Sequence, residues 1–355
     1  KPPQLIEKSI LTPGLAAFLL SSKYCDHLPF YRQEGIFKRY GIDISRQTMC
    51  RWTIRLYEKF SHFMKFFRQE LLSGPLIGID ETTLQVLAEE GRKAKTKSYL
   101  WVFRGGKPDS PTVLFMYRET RSGKFLLEFL KDYVGVIQTD GYKGYDQLDD
   151  FEGITLVACW AHTRRKYDEA AKASEKNGSA YEALSKIKQL YMIENAIKDK
   201  SVEEKRKIRQ EKSVPQLKKI KAWLDKKKTQ VVPGFLLGKA INYTLKFWTK
   251  LIRYTEDGNI AIDNNLVENA LRPECLGKKN WLFSYTASGA NASAFFYSLI
   301  ETAKANKLDP YWYLRYLFEQ LERGIKEEDF KQLMPQHIDK GVVREYRMPD
   351  KWKWG

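Results

Sequence analysis

The stretch Pro75 to Leu87, PLIGIDETTLQVL, constrains this chain more than any other. Leu76, Ile77 and Ile79 are strand formers, and Thr82, Thr83 and Val86 extend the β-preference, so the segment reads as a strand buried on at least one face. That strand carries an acid, Asp80. A carboxylate taken out of water is costly unless it meets a hydrogen-bonded cation, a metal ion or the wet rim of the sheet. Asp80 is therefore either a turn residue or half of a site, and its company further along decides which. Strand alternation turns the neighbouring Glu81 to the opposite face.

A chain of 355 residues has room for two or three domains and at least one sizeable core. Hydrophobic residues at 43% and aromatics at 14% exclude a disordered protein. No apolar run is long enough to span a bilayer, and the opening KPPQLIEKSI has no signal-peptide pattern. Cys25, Cys50, Cys159 and Cys275 are scattered singly, which supports neither a disulfide framework nor a complete zinc site. These features lead us to expect a cytoplasmic protein. The chain opens on Lys rather than Met, so an N-terminal piece is expected to precede it. Charge is the strongest global signal: 61 Lys and Arg against 44 Asp and Glu give +17, a field that attracts polyanions, nucleic acid above all. Between Thr163 and Val232 alone stand 20 Lys and Arg against 10 Asp and Glu.

Residues 1–73 read as helical and separate from the strand-rich region after them. Tyr31 to Tyr40 fits one helix, Gly41-Ile42-Asp43 a turn, and Ser45 the N-cap of the next helix, which is a helix-turn-helix spacing. Arg46, Gln47, Thr48 and Arg51 then face outward near the start of the second helix, where a major groove is read. A helical hairpin used for packing or dimerisation fits the same pattern. Trp52 to Leu72 is expected as one long helix with Phe60, Phe63, Met64 and Phe67 along a packing stripe.

From Ser73-Gly74-Pro75 the pattern changes. Strands are expected at 98–104 and 112–118, with a turn at Gly105-Gly106-Lys107-Pro108, then a helix from Lys124 to Tyr133 and strands at 135–139 and 154–160. This is a mixed α/β pattern with the element order of an RNase H-like fold. Residues 74–162 form its first part, 163–257 a basic helical insertion, 258–310 its last part, and 311–355 a helical C-terminal region.

The second acid is Asp140, directly after a buried-looking strand, with Gly141 permitting an abrupt turn. If the two strands are neighbours, Asp80 and Asp140 share a cleft, and hard divalent cations such as Mg²⁺ take ligands of this type. Cys159 and His162 stand at metal-ligand spacing without a second pair, a pattern that also suits a packed thiol beside a polar histidine. Arg164, Arg165 and Lys166 come next at a helix entrance, where they suit a solvated face or DNA. The helical insertion beyond them suits a DNA clamp or a dimer surface.

The third acid lies in AIDNNLVENALRPECLGKKNWLF. Asp263 or Asn264 is expected to cap a helix that Pro273 ends, with Asn265, Glu268, Asn269 and Arg272 on one face. Lys278, Lys279 and Asn280 suit phosphate contact. Trp281 suits either a base or the core, and we expect packing. Ala290 to Asn306 reads as a core-supporting helix.

Taken together, GIDET, QTDGYKGY, CWAHTRRK, IDNNLVENALRP and GKKNWLF resemble the transposases of the bacterial insertion-sequence family sixty-six, a branch of the DDE transposases. The resemblance runs from LPFYRQE to ETAKANKLDPYWYL. It implies an RNase H-like core with Asp80, Asp140 and Glu268 as a metal-binding triad for two Mg²⁺ or Mn²⁺ ions. It also implies double-stranded DNA as substrate, a homodimer in a synaptic complex, accessory proteins of the same element, and a nucleoid-associated protein. His162 would lie near DNA rather than on zinc, and Asn265, Asn269, Arg272, Lys278 and Lys279 would position phosphates. Family members usually carry an N-terminal cysteine-rich zinc-binding segment, which is not found in this sequence. The expected activity is metal-dependent cleavage at element ends and transfer of the freed 3′-hydroxyl into target DNA. An RNase H-like nuclease or resolvase, or a transposase-derived DNA-binding regulator, is the alternative.

Overall fold

The computed structural model describes residues 3–173 and 178–347 of a mixed α/β chain. Four helices come first: α1 (Pro13–Tyr24), α2 (Phe30–Arg39), α3 (Arg46–Phe60) and α4 (Phe63–Leu72). Their starts are written locally. Thr12 accepts from Leu15 N in front of Pro13, and Ser45 accepts from Thr48 N at 3.2 Å. The expected helix across 52–72 is broken at Ser61-His62, where Met64 N donates to Ser61 O and Lys65 N to His62 O. This three-residue turn brings Phe60 and Phe63 to one side, where both rings meet Phe330.

Strands β1 (Leu76–Ala88), β2 (Lys97–Lys107) and β3 (Ser110–Arg118) form an antiparallel meander with Asp80 opposite Val102 and Glu81 opposite Trp101. The turn lies at Pro108-Asp109 rather than at Gly105-Gly106, because β2 pairs with β3 through Lys107 and Ser110. Gly106 takes φ +81° inside the strand, where its backbone crowds Gly74.

Next come α5 (Lys124–Phe129), β4 (Gly135–Thr139), β5 (Ile154–Ala158), α6 (Trp160–Lys172), α7 (Ser179–Ala196), α8 (Val202–Ile208), α9 (Val214–Lys228), α10 (Leu236–Lys246) and α11 (Trp248–Ile252). Helix α5 stops short of the expected Tyr133, since Asp132 turns the chain at φ +70°. The chain closes with α12 (Asn265–Trp281), β6 (Ser284–Thr286), α13 (Ala287–Ala305), α14 (Pro310–Glu322) and α15 (Lys340–Arg347). Helix α12 runs through Pro273 instead of ending there.

Two compact units result: the chain up to Ser122 together with Leu266 onward, and Gly123–Asn265. These boundaries differ from the expected ones. The N-terminal helices do not stand apart, because α1 packs on α14, α3 on α13, and α4 on β2 and β3. Nor does the insertion separate from residues 123–162.

In the first unit, α13 lies along the free edge of β3. Ser298 Oγ accepts from Phe115 N at 2.8 Å, and Thr302 Oγ1 accepts from Val113 N at 3.0 Å while donating to Val113 O at 2.9 Å. Asn306 Nδ2 donates to Pro111 O at 2.8 Å. Four helical residues rise about 6 Å and two strand residues about 6.6 Å, so a polar stripe spaced by four keeps step with alternate strand residues.

In the second unit, β4 and β5 pair in parallel from Gly135↔Ile154 to Thr139↔Ala158. The helices bury Val157, Trp160, Tyr167, Leu190, Leu217, Trp223 and Leu251 in one core. Trp160 Nε1 donates to Leu251 O at 2.8 Å. Arg209, 2% exposed, opens a π-helical turn and binds Glu194 through two nitrogens at 2.6 and 2.9 Å, with Tyr254 O and Asp257 O each at 2.8 Å.

Thr302→Val keeps the shape of α13 but leaves both backbone groups of Val113 without that partner. We expect a loss of about 2 kcal/mol in urea unfolding; a variant as stable as the parent would show that the edge is held by packing alone.

Candidate active site

Asp80 lies on β1, half-buried, and its Oδ1 accepts from Glu81 N at 2.8 Å, which fixes the carboxylate's direction. Glu81 is occupied elsewhere: Arg121 donates to its Oε1 at 2.5 and 2.6 Å. That pairing supplies a structural reason to keep Glu81 out of a metal set.

Helix α12 is fastened to the same strand. Lys278 Nζ donates to Thr82 Oγ1 at 2.7 Å and to Thr83 O at 2.9 Å, and Cys275 Sγ donates to Thr82 Oγ1 at 3.8 Å. Burial first, then Glu274, and more weakly Asp80 itself, push the Cys275 thiol up. Seven residues make nearly two helical turns, so Glu268 shares the face of α12 that Cys275 turns to β1. Glu268 is half-buried, whereas Asn269, Arg272 and Lys279 are exposed. Lys278, expected as a phosphate contact, gives two ammonium hydrogen bonds to β1 while its side chain stays a quarter exposed.

Glu274, 2% exposed, lies 3.8 Å from Lys278, too far for a hydrogen bond. Burial pushes its carboxyl up to about 7 against the pull of Lys278. Just beyond, a Cβ on Gly277 would come within 2.1 Å of the Trp281 ring, so the glycine is what lets Trp281 fold back on its own helix. Trp281 packs as expected, edge-on to Tyr24 with Lys23 Nζ 4.2 Å from its ring. The exposed apolar groups here are instead Leu276, Leu282, Phe283 and Tyr285, which sequence reasoning passed over.

In the second unit, Asp140 directly follows β4, and its Oδ1 accepts from Tyr142 N at 2.8 Å. Gly141 turns the chain at φ +84° under Tyr243 and Phe247, and Tyr243 Oη donates to Asp140 O at 2.6 Å. Burial, then Asp140, raise the Tyr243 hydroxyl, while Arg165 opposes them. Cys159, at the N-cap position of α6, is a buried thiol pushed up to about 11 by burial, and its Sγ accepts from Asn264 N at 3.2 Å. His162 lies on the first turn of α6, half-buried. Arg164 and Arg165 are exposed, with the Arg164 guanidinium 5.7 Å over Tyr191. Asp263 receives Asn265 N at 3.3 Å and Asn265 Nδ2 at 2.8 Å.

The remaining candidates lie on α3 of the first unit. Arg46, Gln47 and Arg51 are exposed, as expected, while Thr48 is engaged with the Ser45 cap and with Arg51. The Arg46 guanidinium lies 5.5 Å over Tyr31.

The family model described as "Transposase IS66 family" matches residues 8–292, and the model of the "IS66 C-terminal element" matches residues 298–336. The chain belongs to the IS66 transposase family. Among curated relatives, the uncharacterized protein y4jD of Sinorhizobium fredii is 33% identical over 91% of this chain and 65% of its own length. Uncharacterized protein y4qI of the same organism is 31% identical over 94% and 64%, and y4hP is 28% identical over 85% and 58%. This IS66-family chain thus spans somewhat under two thirds of the relatives it matches. Within the first unit Asp80 and Glu268 offer hard carboxylate oxygens of the kind a divalent cation takes, and within the second Asp140 offers another, with both aspartates oriented by backbone N–H groups. No helix among the described residues is long and apolar enough to cross a membrane.

The α12 anchor generates two expected outcomes. Gly277→Ala should lower stability by about 1–3 kcal/mol through the collision with Trp281, measured by thermal unfolding. Glu274 carries a folded pKa above its ordinary 4.5, so the stability it contributes below that pH is lost as the pH rises to about 7. Glu274→Gln should flatten the stability–pH curve across that window, where the parent loses up to about 1 kcal/mol per pH unit; an unchanged slope would place the charge cost elsewhere.

Proposed function

We propose that this chain is the catalytic part of a DNA transposase, with an RNase H-like core, that cuts at the ends of its element and joins the freed 3′-hydroxyl to target DNA. The observation that carries this reading is the fastening of α12, the helix of Glu268, to β1, the strand of Asp80. Family membership supports it.

In this reading Asp80, Asp140 and Glu268 hold two Mg²⁺ or Mn²⁺ ions. When bound, such ions supply activation of the attacking oxygen and charge stabilisation of the leaving one. The protein's own work is orientation. Glu81 N and Tyr142 N aim the two aspartates, and Lys278 ties the Glu268 helix to the Asp80 strand. Hydrolysis of one phosphodiester leaves a 3′-hydroxyl, which then displaces a 3′-oxygen in the target strand, so no covalent protein intermediate is needed. Arg272, Asn269 and Lys279 receive phosphates near the cut, joined by Asn265, His162, Arg164 and Arg165, while Arg46, Gln47, Thr48 and Arg51 bind element DNA at a distance. The basic helices of the second unit hold duplex backbone. Two element ends call for a homodimer, and accessory proteins of the same element join it.

Incubation with element-end DNA, Mg²⁺ and a supercoiled target tests the reading. Joined products are expected; nicks without joining would reduce it to a nuclease, and binding without cleavage to a regulator. Asp80→Asn, Asp140→Asn and Glu268→Gln should each cut cleavage by about 1,000-fold or more and leave DNA binding within about threefold. Chelation by EDTA should do the same to the parent. Cleavage retained by Asp80→Asn would sink the triad.

A further inference from the structure

The link between α12 and β6 is strained in a way that its packing role does not require. Phe283 N donates to Trp281 O at 2.8 Å across Leu282, which takes φ +68°. This is a γ-turn of the positive-φ kind, rare and costly for a residue with a Cβ. Glycine or asparagine would sit there with less strain. The chain instead places leucine at the tip and leaves it 67% exposed, beside Phe283 at 42% and Tyr285 at 69%.

Both flanks hold the turn in place. On one side Trp281 is pinned over Gly277 and against Lys23 and Tyr24; on the other, Ser284 and Thr286 pair with Val86 and Ala88 of β1. Strain that survives because its surroundings over-determine it, joined to an exposed apolar tip, disfavours folding twice and marks a functional element. Exposed Arg272, Lys279 and Asn280 lie on the same stretch of helix, so what comes to this tip is a polyanion that also has flat apolar faces.

We propose that Leu282 and Phe283 form a wedge that enters the DNA substrate and receives an unstacked base while Lys279 and Arg272 hold the flanking phosphates. The wedge rests on the transposase reading for its choice of DNA. Apolar side chains inserted at a base step stabilise an opened stack, and an aromatic ring accepts any base face. Unpaired DNA spares the wedge the work of opening the stack and should therefore bind more tightly than paired DNA.

The test needs no metal and no cleavage. The full chain is titrated against three labelled duplexes of one sequence, each about three helical turns long: fully paired, with a central mismatch, and with one base unpaired. The parent should prefer the mismatched and unpaired probes by about 10-fold. Leu282→Asn combined with Phe283→Ser should bring the ratio to within about twofold while leaving affinity for the paired probe unchanged. Lys279→Ala should weaken all three alike and lower the salt dependence. A parent without preference, or a double variant that keeps it, overturns the wedge. So does a dimer of the parent that becomes a monomer in the double variant, since the tip would then serve a second copy. A chain that cuts and joins DNA without the preference overturns the wedge alone. One that shows the preference but never cuts upholds the wedge and overturns the catalytic reading.

Discussion

The hydrogen-bond ladder from α13 to β3 is the constraint on which the first unit depends. An edge strand in the middle of a protein cannot leave its N–H and C=O groups bare, and it must be paired or covered. Here the cover is a helix whose Ser298, Thr302 and Asn306 meet Phe115, Val113 and Pro111 in step. The three polar residues are essentially buried, so each bond is made away from water, where leaving it unmade would be expensive. Once fixed, α13 becomes a platform. Tyr57 and Phe63 set their rings on Phe295, and Tyr24 sets its own on Phe296 and Tyr297. The N-terminal helices are thereby part of the sheet's unit.

The second unit solves a different problem, how to fold under a large positive charge. Most of its cations are lysines on helix surfaces, such as Lys218, Lys219, Lys226 and Lys228 on α9, which stay in water. The one arginine taken fully inside among its described residues, Arg209, is given a bidentate carboxylate and two carbonyls, enough to use its planar fork. A lysine could not replace it without leaving acceptors unmatched. The π-helical turn it opens is where the chain gives up regular helix to reach those partners. The exposed lysines remain available to an external polyanion, which ties charge placement to the proposed DNA contacts.

Much of this was legible in the residues because it is written locally. The strand formers of LIGIDETTLQV gave β1, Ser45 gave the cap of α3, and Asp140-Gly141 gave the sharp exit from β4. What escaped reading depends on tertiary contacts. Pro273 looked like a helix end, since it removes a donor and crowds the preceding turn. Helix α12 continues because Cys275, Lys278 and Trp281 beyond it are all bound to other parts of the unit. Lys278 looked like a phosphate ligand by type, and only the position of Thr82 and Thr83 shows that it also fastens α12 to β1. The stripe Ser298, Thr302, Asn306 sat in plain view at a spacing of four, but a polar stripe in an apolar helix signals nothing until the edge it serves is known. Leu282 was invisible for a further reason: no residue type announces a positive φ at leucine.

The cost of α12 explains its construction. Its interior proline and its buried Glu274, with a carboxyl held near neutrality, both oppose the helix. Lys278 offsets them by drawing the helix onto β1 with two hydrogen bonds, and Gly277 lets Trp281 lock the far end into the aromatic cluster around Tyr24. A helix held this firmly at its C-terminal end presents its first turn, with Glu268, in a fixed direction relative to β1 and Asp80. The metal-holding role proposed for Glu268 calls for that kind of rigidity, because ligand oxygens displaced by an ångström lose both affinity and rate. The same lock is followed at once by the tight turn at Leu282, so the strained tip and the helix of Glu268 belong to one anchored element.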